Sequence, residues 1–252
     1  MTDRSRRARS AAIWDQLEPA LQRVAADAGR EILDIVDVGG GSGVLAVPLA
    51  GRGHRVRVVD PSPNALATLE RRASDAGVTA LVTGVQGDAA ALAELVGADG
   101  ADVVLCHGVL EVVDDPVVAV GGLAGVVRPG GLASVVAAQR YAAVIAKALS
   151  GHLSEARHLL DDPDGRWGPS DPLPRRFDEA GLTGLLSDAG LTVEAVHGVR
   201  VFTDLVPGAL VDDPHDAEAL ADLEATAVTH PAFRAVASAL HVIARCSEGS
   251  RT

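Results

Sequence analysis

Five short apolar runs, each followed by a stretch with helical spacing, limit this chain's possible folds more than any other feature. They are ILDIVDV (32–38), RVRVVD (55–60), ALVTGVQ (80–86), ADVVLC (101–106) and GGLASVVAA (130–138). A strand with one wet face alternates apolar and polar residues. Near-continuous Val, Ile and Leu instead require cover on both faces, which is the condition of a parallel sheet between two helical layers. The intervening segments supply that cover. They are 44–50, a helix opened by Pro63 and carrying Ala65, Leu66, Leu69 and Ala73, the alanine-rich AAALAEL (89–95), and 116–127. The expected class is therefore α/β, with a mostly parallel sheet and helices on both faces.

The flanks follow a different pattern. Ile13, Leu17, Leu21 and Val24 recur at helical spacing, so roughly the first 30 residues read as helix. After residue 138 come one or two helices (139–160) and a loop crowded with Pro, Gly and Asp (161–176). A helix (178–189), a strand (191–203), a helix (215–228) and a last strand (239–246) follow. The late strands are placed to add an antiparallel edge. The organisation expected is one domain over 1–252. It comprises an N-terminal helical segment (1–30), a core (31–138), a helical lid (139–190) and a part that completes the sheet (191–246).

Composition narrows the partners. The net charge is −12, and the aromatics are two tryptophans, one tyrosine and three phenylalanines. A broad nucleic-acid surface needs a basic stripe and stacking rings, and this chain lacks both, although a local basic pocket remains open. The two cysteines, Cys106 and Cys246, fit no zinc spacing and no disulfide framework, which points to a reducing, cytoplasmic setting. The basic start RSRRARS is not followed by an apolar stretch, and no run is long enough to cross a bilayer, so neither signal peptide nor membrane span is expected. The histidines show no metal-like spacing with acids or thiols, so no metal is expected.

The first strand ends in DVGGGSG (37–43). Glycines at a strand-to-helix turn let a ligand press against the backbone, and a helix start favours a polar or anionic group. GSGVLA (41–46) also satisfies a loose dinucleotide pattern. Asp60 ends the second strand roughly twenty residues beyond the loop, where an acid accepts from both hydroxyls of a ribose. GDA (87–89) puts Asp88 where it could accept from an adenine amino group. The competing reading of Asp60 and Asp88 is that each only caps the following helix. A dinucleotide and S-adenosylmethionine share the ribose acid but differ at Asp37, which faces the sulfonium and amino end of the latter. They differ again at the RPGG turn (128–131).

D-x-G-x-G-x-G, the strand-end acid, the GD pair and RPGG stand here in the order found in class I methyltransferases. LCHGVLEVVDDP (105–116), GVRVFTD (198–204), ALHVIARC (239–246), RSAAIW (9–14) and GRGHRV (51–56) further resemble the bacterial tRNA 5-carboxymethoxyuridine methyltransferases, the CmoM family, over residues 9 to 246. The resemblance implies a Rossmann-like methyltransferase sheet and S-adenosyl-L-methionine as cofactor, with S-adenosyl-L-homocysteine as its product. It also implies transfer to the carboxylate of a modified wobble uridine in the tRNA anticodon loop. It places cofactor contacts on Arg9, Gly39, Gly40, Asp60, Gly87 and His107, beside Asp37, Gly41, Gly43 and Asp88 from the loop reading. The family's lid loop carries a lysine-rich stretch; here the lid reads DDPDGRWGP, and the aromatics at the end of the fifth strand are Ala137 and Ala138. Losing cations removes counterion release, the main source of RNA affinity.

For the acceptor, an ionised carboxylate needs no base but needs orientation, which a guanidinium fork supplies. Arg175 in LPRR and Arg200 in GVRVF are the candidates, each weighed against a surface salt bridge. Tyr141 is a third possible substrate contact. A phenol or amine acceptor would need a base, and His107 is the best placed. Glu111 and the pair Asp114-Asp115 are expected in the loop and helix start after the fourth strand, and Trp167 is either a lid anchor or a stacking ring. The alternatives are a small-molecule methyltransferase of the quinone or secondary-metabolite type, a non-catalytic cofactor-binding module, and, more distantly, a dehydrogenase.

Overall fold

The computed structural model describes residues 3–206 and 213–247; the side chains of residues 3–12 and of Pro214 lie outside the described part. The helices are α1 (Asp3–Ala28), α2 (Ala46–Gly51), α3 (Pro63–Asp75), α4 (Leu92–Val96), α5 (Pro116–Val126), α6 (Arg140–Leu149), α7 (Leu153–Asp161), α8 (Glu179–Asp188), α9 (Pro214–Ala227) and α10 (Pro231–Arg234). The strands are β1 (Asp34–Val38), β2 (Arg55–Asp60), β3 (Val82–Gln86), β4 (Ala101–His107), β5 (Val127–Ala138), β6 (Leu191–Val199) and β7 (Ala239–Cys246). They form one seven-stranded sheet in the order β3-β2-β1-β4-β5-β7-β6. β1 runs parallel to β2 and β4, with Asp37 level with Val58 on one side and Leu105 on the other, and β2 runs parallel to β3. β7 is the antiparallel strand. Ser238, just before it, accepts from Gln139 past the end of β5, while Arg245 near its end reaches the Gly130 carbonyl at the start of β5.

The apolar runs are buried as their pattern requires. β4 is buried from Ala101 through Cys106, and Leu69 of α3 is fully buried. A leucine so covered contributes about 1.5–3 kcal/mol relative to an exposed one. α3 starts on Ser62, whose hydroxyl accepts from the Ala65 amide at 3.3 Å, with Pro63 in the first position where its missing N–H is harmless. AAALAEL is less regular than its spacing predicts: Asp88 accepts from the Ala90 and Ala91 amides and tightens Ala89–Ala91 into a 3₁₀ turn before α4 begins. The stretch 139–160 is two helices, parted at Gly151 with φ +81°. The strand predicted over 191–203 stops at Val199, because Arg200 turns to φ +57°, a conformation incompatible with a ladder.

The described residues divide into two compact units. One takes them from Met1–Pro19, Val136–Thr183 and Ala195–Val242, the other from Ala20–Val135, Gly184–Glu194 and Ile243–Thr252. In the second unit the amino ends of the strands carry a charged network. Buried Asp102 accepts from the Asp34 amide at 2.8 Å and binds the guanidinium groups of Arg30 and Arg128. Asp34 in turn accepts from Arg55 at 2.7 Å, and that bond, more than any other influence, holds its carboxyl below the usual range. Among the described residues no helix is long and apolar enough to cross a membrane.

In the first unit the lid loop is closed by a buried ion pair. Arg176 donates to both oxygens of Asp171, at 2.7 and 3.0 Å, and to the Gly165 carbonyl at 2.9 Å. Burial pushes the Asp171 carboxyl up, but Arg176 and the amides of Leu173 and Trp167 outweigh it and hold it below its ordinary value. Lys147 lies 3.8 Å and Arg176 4.5 Å from the Trp167 ring centre, so this ring anchors the lid. Removing one partner of a buried pair leaves an uncompensated charge. Asp171→Ala should therefore destabilise the protein by about 3–5 kcal/mol in urea denaturation. Arg157→Ala, which breaks an exposed pair with Asp161, should be close to neutral.

Candidate active site

Four neighbouring strands end at one place. β1 delivers Asp37, β2 Asp60, β3 leads into Gly87, and β4 ends at His107. Carboxyl ends of adjacent parallel strands are where open α/β sheets bind ligands. The glycine loop is fastened there by backbone bonds: the Gly39 amide donates to the Val59 carbonyl at 2.7 Å, and the Gly43 amide to Gly40 at 3.0 Å. Gly39 sits at φ +66°, and a Cβ there would run into the Val109 side chain, so the position is closed to other residues. At Gly40 a Cβ would strike the Asp37 carboxylate.

Asp60 does more than cap. The cap of α3 is Ser62; Asp60 accepts from the Ser62 amide through Oδ1 and from the Gly41 amide through Oδ2, both at 2.9 Å. Asp88 does cap its following turn, and it is exposed. His107 is half-buried, with Nε2 2.9 Å from the hydroxyl of Ser134, a fully buried residue of β5. Asp115 caps α5 through the Val117 and Val118 amides, whereas Glu111 is drawn inside at 5% exposure. Ser134 and Glu111 were missed as site residues. The signal for Ser134 was a hydroxyl among the apolar residues of GLASVVAA; nothing in the sequence announced the burial of Glu111.

The electrostatics of the site select its ligand. Asp37 is 2% exposed, and burial, seconded by the charge of Asp60, raises its pKa to about 7. The Cys106 thiol is pushed well above its usual range by burial and by Glu111 and Asp37. Once Asp37 is ionised, above about pH 7 or opposite a cation, the two acids make a buried negative field at the loop, while α2 is too short, at six residues, for its dipole to oppose them. Such a place suits a cation such as a sulfonium or ammonium and disfavours a pyrophosphate. The residues present therefore fit S-adenosylmethionine: Asp37 would face its positive end, Asp60 would accept from the ribose, and the Gly39–Gly43 loop would lie against it.

Of the acceptor candidates, Arg175 is half-buried at the end of the lid loop. Tyr141 is 39% exposed with its hydroxyl 3.5 Å from Asp178. Arg200 follows β6, its Nη1 3.4 Å from Asp204 and its Nε buried without a hydrogen-bond partner among the described residues. All three belong to the first unit. The side chain of Arg9 lies outside the described residues. A separate cavity of about 530 Å³ opens at the amino ends of the strands, among Arg30, Asp102, Arg128, Glu194 and Arg245. Its charged groups are committed to one another, Arg245 to Glu194 at 2.5 Å and Arg128 to Asp102 at 2.7 Å. Among the described residues no group of three or more His, Cys, Asp or Glu side chains is placed to hold a metal ion.

Comparison with known proteins agrees with the geometry. Residues 36–135 match the methyltransferase domain family. The chain is 29% identical to the tRNA 5-carboxymethoxyuridine methyltransferase of Escherichia coli K12, over 94% of this chain and 87% of that one. It is 32% identical to the ubiquinone biosynthesis O-methyltransferase of Methylobacterium nodulans, over 67% of this chain and 64% of that one. The magnesium protoporphyrin IX methyltransferase of Synechocystis, solved with bound S-adenosylhomocysteine, shares the fold with a TM-score of 0.62 at 15% identity, over 98% of this chain and 89% of that one. The protein is a class I S-adenosylmethionine-dependent methyltransferase. Within that class it resembles the tRNA 5-carboxymethoxyuridine methyltransferases along nearly its whole length.

Two predictions follow from the acids. Free folded protein keeps a proton on Asp37 up to a pKa of about 7, whereas the unfolded chain releases it around the ordinary carboxyl value of 3.8. Stability contributed by this proton is complete at low pH and is lost as pH rises towards the folded value. Asp37→Asn should therefore raise the melting temperature of the cofactor-free protein at about pH 8, where the parent carries a buried charge, and change it little near pH 4. The same variant should weaken S-adenosylmethionine binding. Parent affinity should rise from about pH 5.5 to 7.5, with proton release visible when calorimetry is repeated in buffers of different ionisation heat. Separately, Asp60→Ala should lower cofactor affinity by about tenfold or more in calorimetry, at about 1.5–3 kcal/mol per charge-assisted bond. Unchanged affinity in a folded variant would reduce Asp60 to a loop tie.

Proposed function

We propose that this enzyme methylates the carboxylate of carboxymethoxyuridine at the wobble position of tRNA. The observation that carries the reading is Arg200, a guanidinium whose Nε has no hydrogen-bond partner among the described residues and whose one ion pair is long and local. It lies in GVRVFTD, one of the segments resembling the tRNA enzymes, and the likeness to the Escherichia coli protein spans 94% of the chain. The chemistry asks little else of the chain. With a pKa of about 4, the acceptor carboxylate is already a nucleophile at neutral pH. One of its oxygens forms the new bond to the methyl carbon as the sulfur–carbon bond breaks, leaving a methyl ester and S-adenosylhomocysteine. Rate then comes from alignment of oxygen, carbon and sulfur, which a fixed guanidinium supplies.

The acidic lid weighs less against RNA than its sequence indicates. Asp171 is neutralised by Arg176, and Asp162 is occupied by the amides of Asp164 and Arg166. Few cations remain to replace the missing lysines, so tRNA affinity should fall only shallowly with added salt. A second reading is favoured by the net charge of −12 and by the ubiquinone O-methyltransferase relative: a small phenolic acceptor, whose proton His107 would take.

The deciding experiment incubates enzyme and labelled S-adenosylmethionine with tRNA that bears or lacks the wobble carboxylate. Label should enter only the first, and the pH–rate profile should be flat near the histidine range. Arg200→Lys should lower kcat/KM for the RNA by about tenfold, since an ammonium cannot replace a bidentate fork, while leaving cofactor affinity in place. Label in neither RNA, with turnover of a small phenol and a bend near a pKa of about 6.5 that disappears in His107→Asn, would move the assignment to the second reading.

A further inference from the structure

The turn after β6 is held by a carboxylate from elsewhere in the chain. Arg200, at φ +57°, occupies the left-handed region where a side chain with a Cβ is strained, and such strain persists only where the surroundings fix it. Its carbonyl accepts from the Ser238 amide at 3.0 Å. The next three amides converge on Glu224 of α9. Oε2 accepts from Val201 at 2.9 Å, and Oε1 from Phe202 at 2.9 Å and Thr203 at 2.7 Å, with the Thr203 hydroxyl also at 2.7 Å. Successive amides pointing at one anion form a nest, and bonds to an ionised acceptor are the strong kind.

This carboxylate is not the segment's sole tie to its unit. Val201 is already buried with Ala227 and Ala237, with Phe202 and Val236 packed against them, and Gly198 is tied to the Val228 carbonyl at 2.7 Å. What Glu224 adds is conformation. It fixes the backbone on the far side of Arg200, as Ser238 fixes the near side. Among the described residues the guanidinium beyond that fixed backbone has only the 3.4 Å contact to Asp204. The backbone is tightly held, while the side chain, 17% exposed, keeps a buried Nε with no hydrogen-bond partner among the described residues, which is the arrangement of a group held for a ligand.

We infer that Glu224 is the positioning residue of the acceptor site: its grip on the Val201–Thr203 amides sets the direction in which Arg200 meets an acceptor, and so makes the site selective for anionic over neutral acceptors. The inference rests on the reading of Arg200 as the acceptor-binding group, and the test separates the two. Carboxymethoxyuridine nucleoside is titrated into protein saturated with S-adenosylhomocysteine and carrying ¹⁵N-labelled arginine, and the Arg200 Nε–H resonance is followed. In the parent this resonance shifts on binding. Glu224→Ala should move it in the free protein and weaken the nucleoside by about tenfold, with Glu224→Gln, which keeps one acceptor oxygen, between the two. Affinity for S-adenosylhomocysteine should stay within about twofold, and Glu224→Ala should add nothing in an Arg200→Ala background.

If Glu224→Ala does not fold, Glu224→Gln alone carries the comparison. Nucleoside affinity equal to the parent in both Glu224 variants, with Arg200→Ala weakened, overturns the inference and leaves the Arg200 reading standing. Loss of S-adenosylhomocysteine affinity in step with the nucleoside makes Glu224 a scaffold residue and also overturns it. No nucleoside binding by the parent, or undiminished binding by Arg200→Ala, overturns both.

Discussion

Everything at the active site hangs on one carboxylate joining a strand end to a loop. Asp60 accepts from Gly41 in the glycine loop and from Ser62 at the start of α3, at equal distances. A loop of four glycines within five residues has little reason to hold one shape, since glycine loses more freedom on ordering than any other residue. The parallel ladder ends at Val38 and Val59, and beyond it the Gly39 amide bonds to Val59 while Asp60 takes over with its side chain. The acid that would hold a ribose is therefore the acid that shapes the loop. Burial raises the pKa of Asp37 and the charge of Asp60 adds to it, so the same group contributes to both the form and the polarity of the site.

The fold was legible because burial on two faces leaves a mark that no other arrangement leaves. β4 and β5 read as continuous apolar runs and are buried nearly throughout. β3, at the sheet edge, was readable only from its place in the alternation, since Thr83, Gly84 and Gln86 are exposed. β6 was read four residues too long, because GVRVF looks apolar whether its backbone is extended or, as at Arg200, left-handed. Backbone conformation of a non-glycine residue has no signature in composition.

The site divides the same way. Asp37, Asp60 and His107 stand at or next to strand ends, positions that sequence spacing marks. Ser134 and Glu224 carry no such mark, because each acts through a partner distant in sequence: Ser134 through His107, Glu224 through the amides of 201–203. Of two adjacent arginines in LPRR, the sequence offered no means of telling the buried structural one, Arg176, from the half-buried Arg175. Long-range polar pairing is the part of a structure that a pattern of apolar spacing does not encode.

The lid loop has a consequence for how such enzymes diversify. Its polar bonds close on themselves: buried Asp171 with Arg176, Asp162 with the amides of Asp164 and Arg166, Arg140 with the Pro163 carbonyl. A loop whose shape is set by its inward groups leaves outward ones such as Asp164 and Ser170 without a side-chain bond among the described residues, and Asp161 with an exposed pair to Arg157. Those positions can drift in charge from one lineage to another at little cost to folding. The charge on the loop's outer face is then free to suit a partner, because the fold itself does not require it.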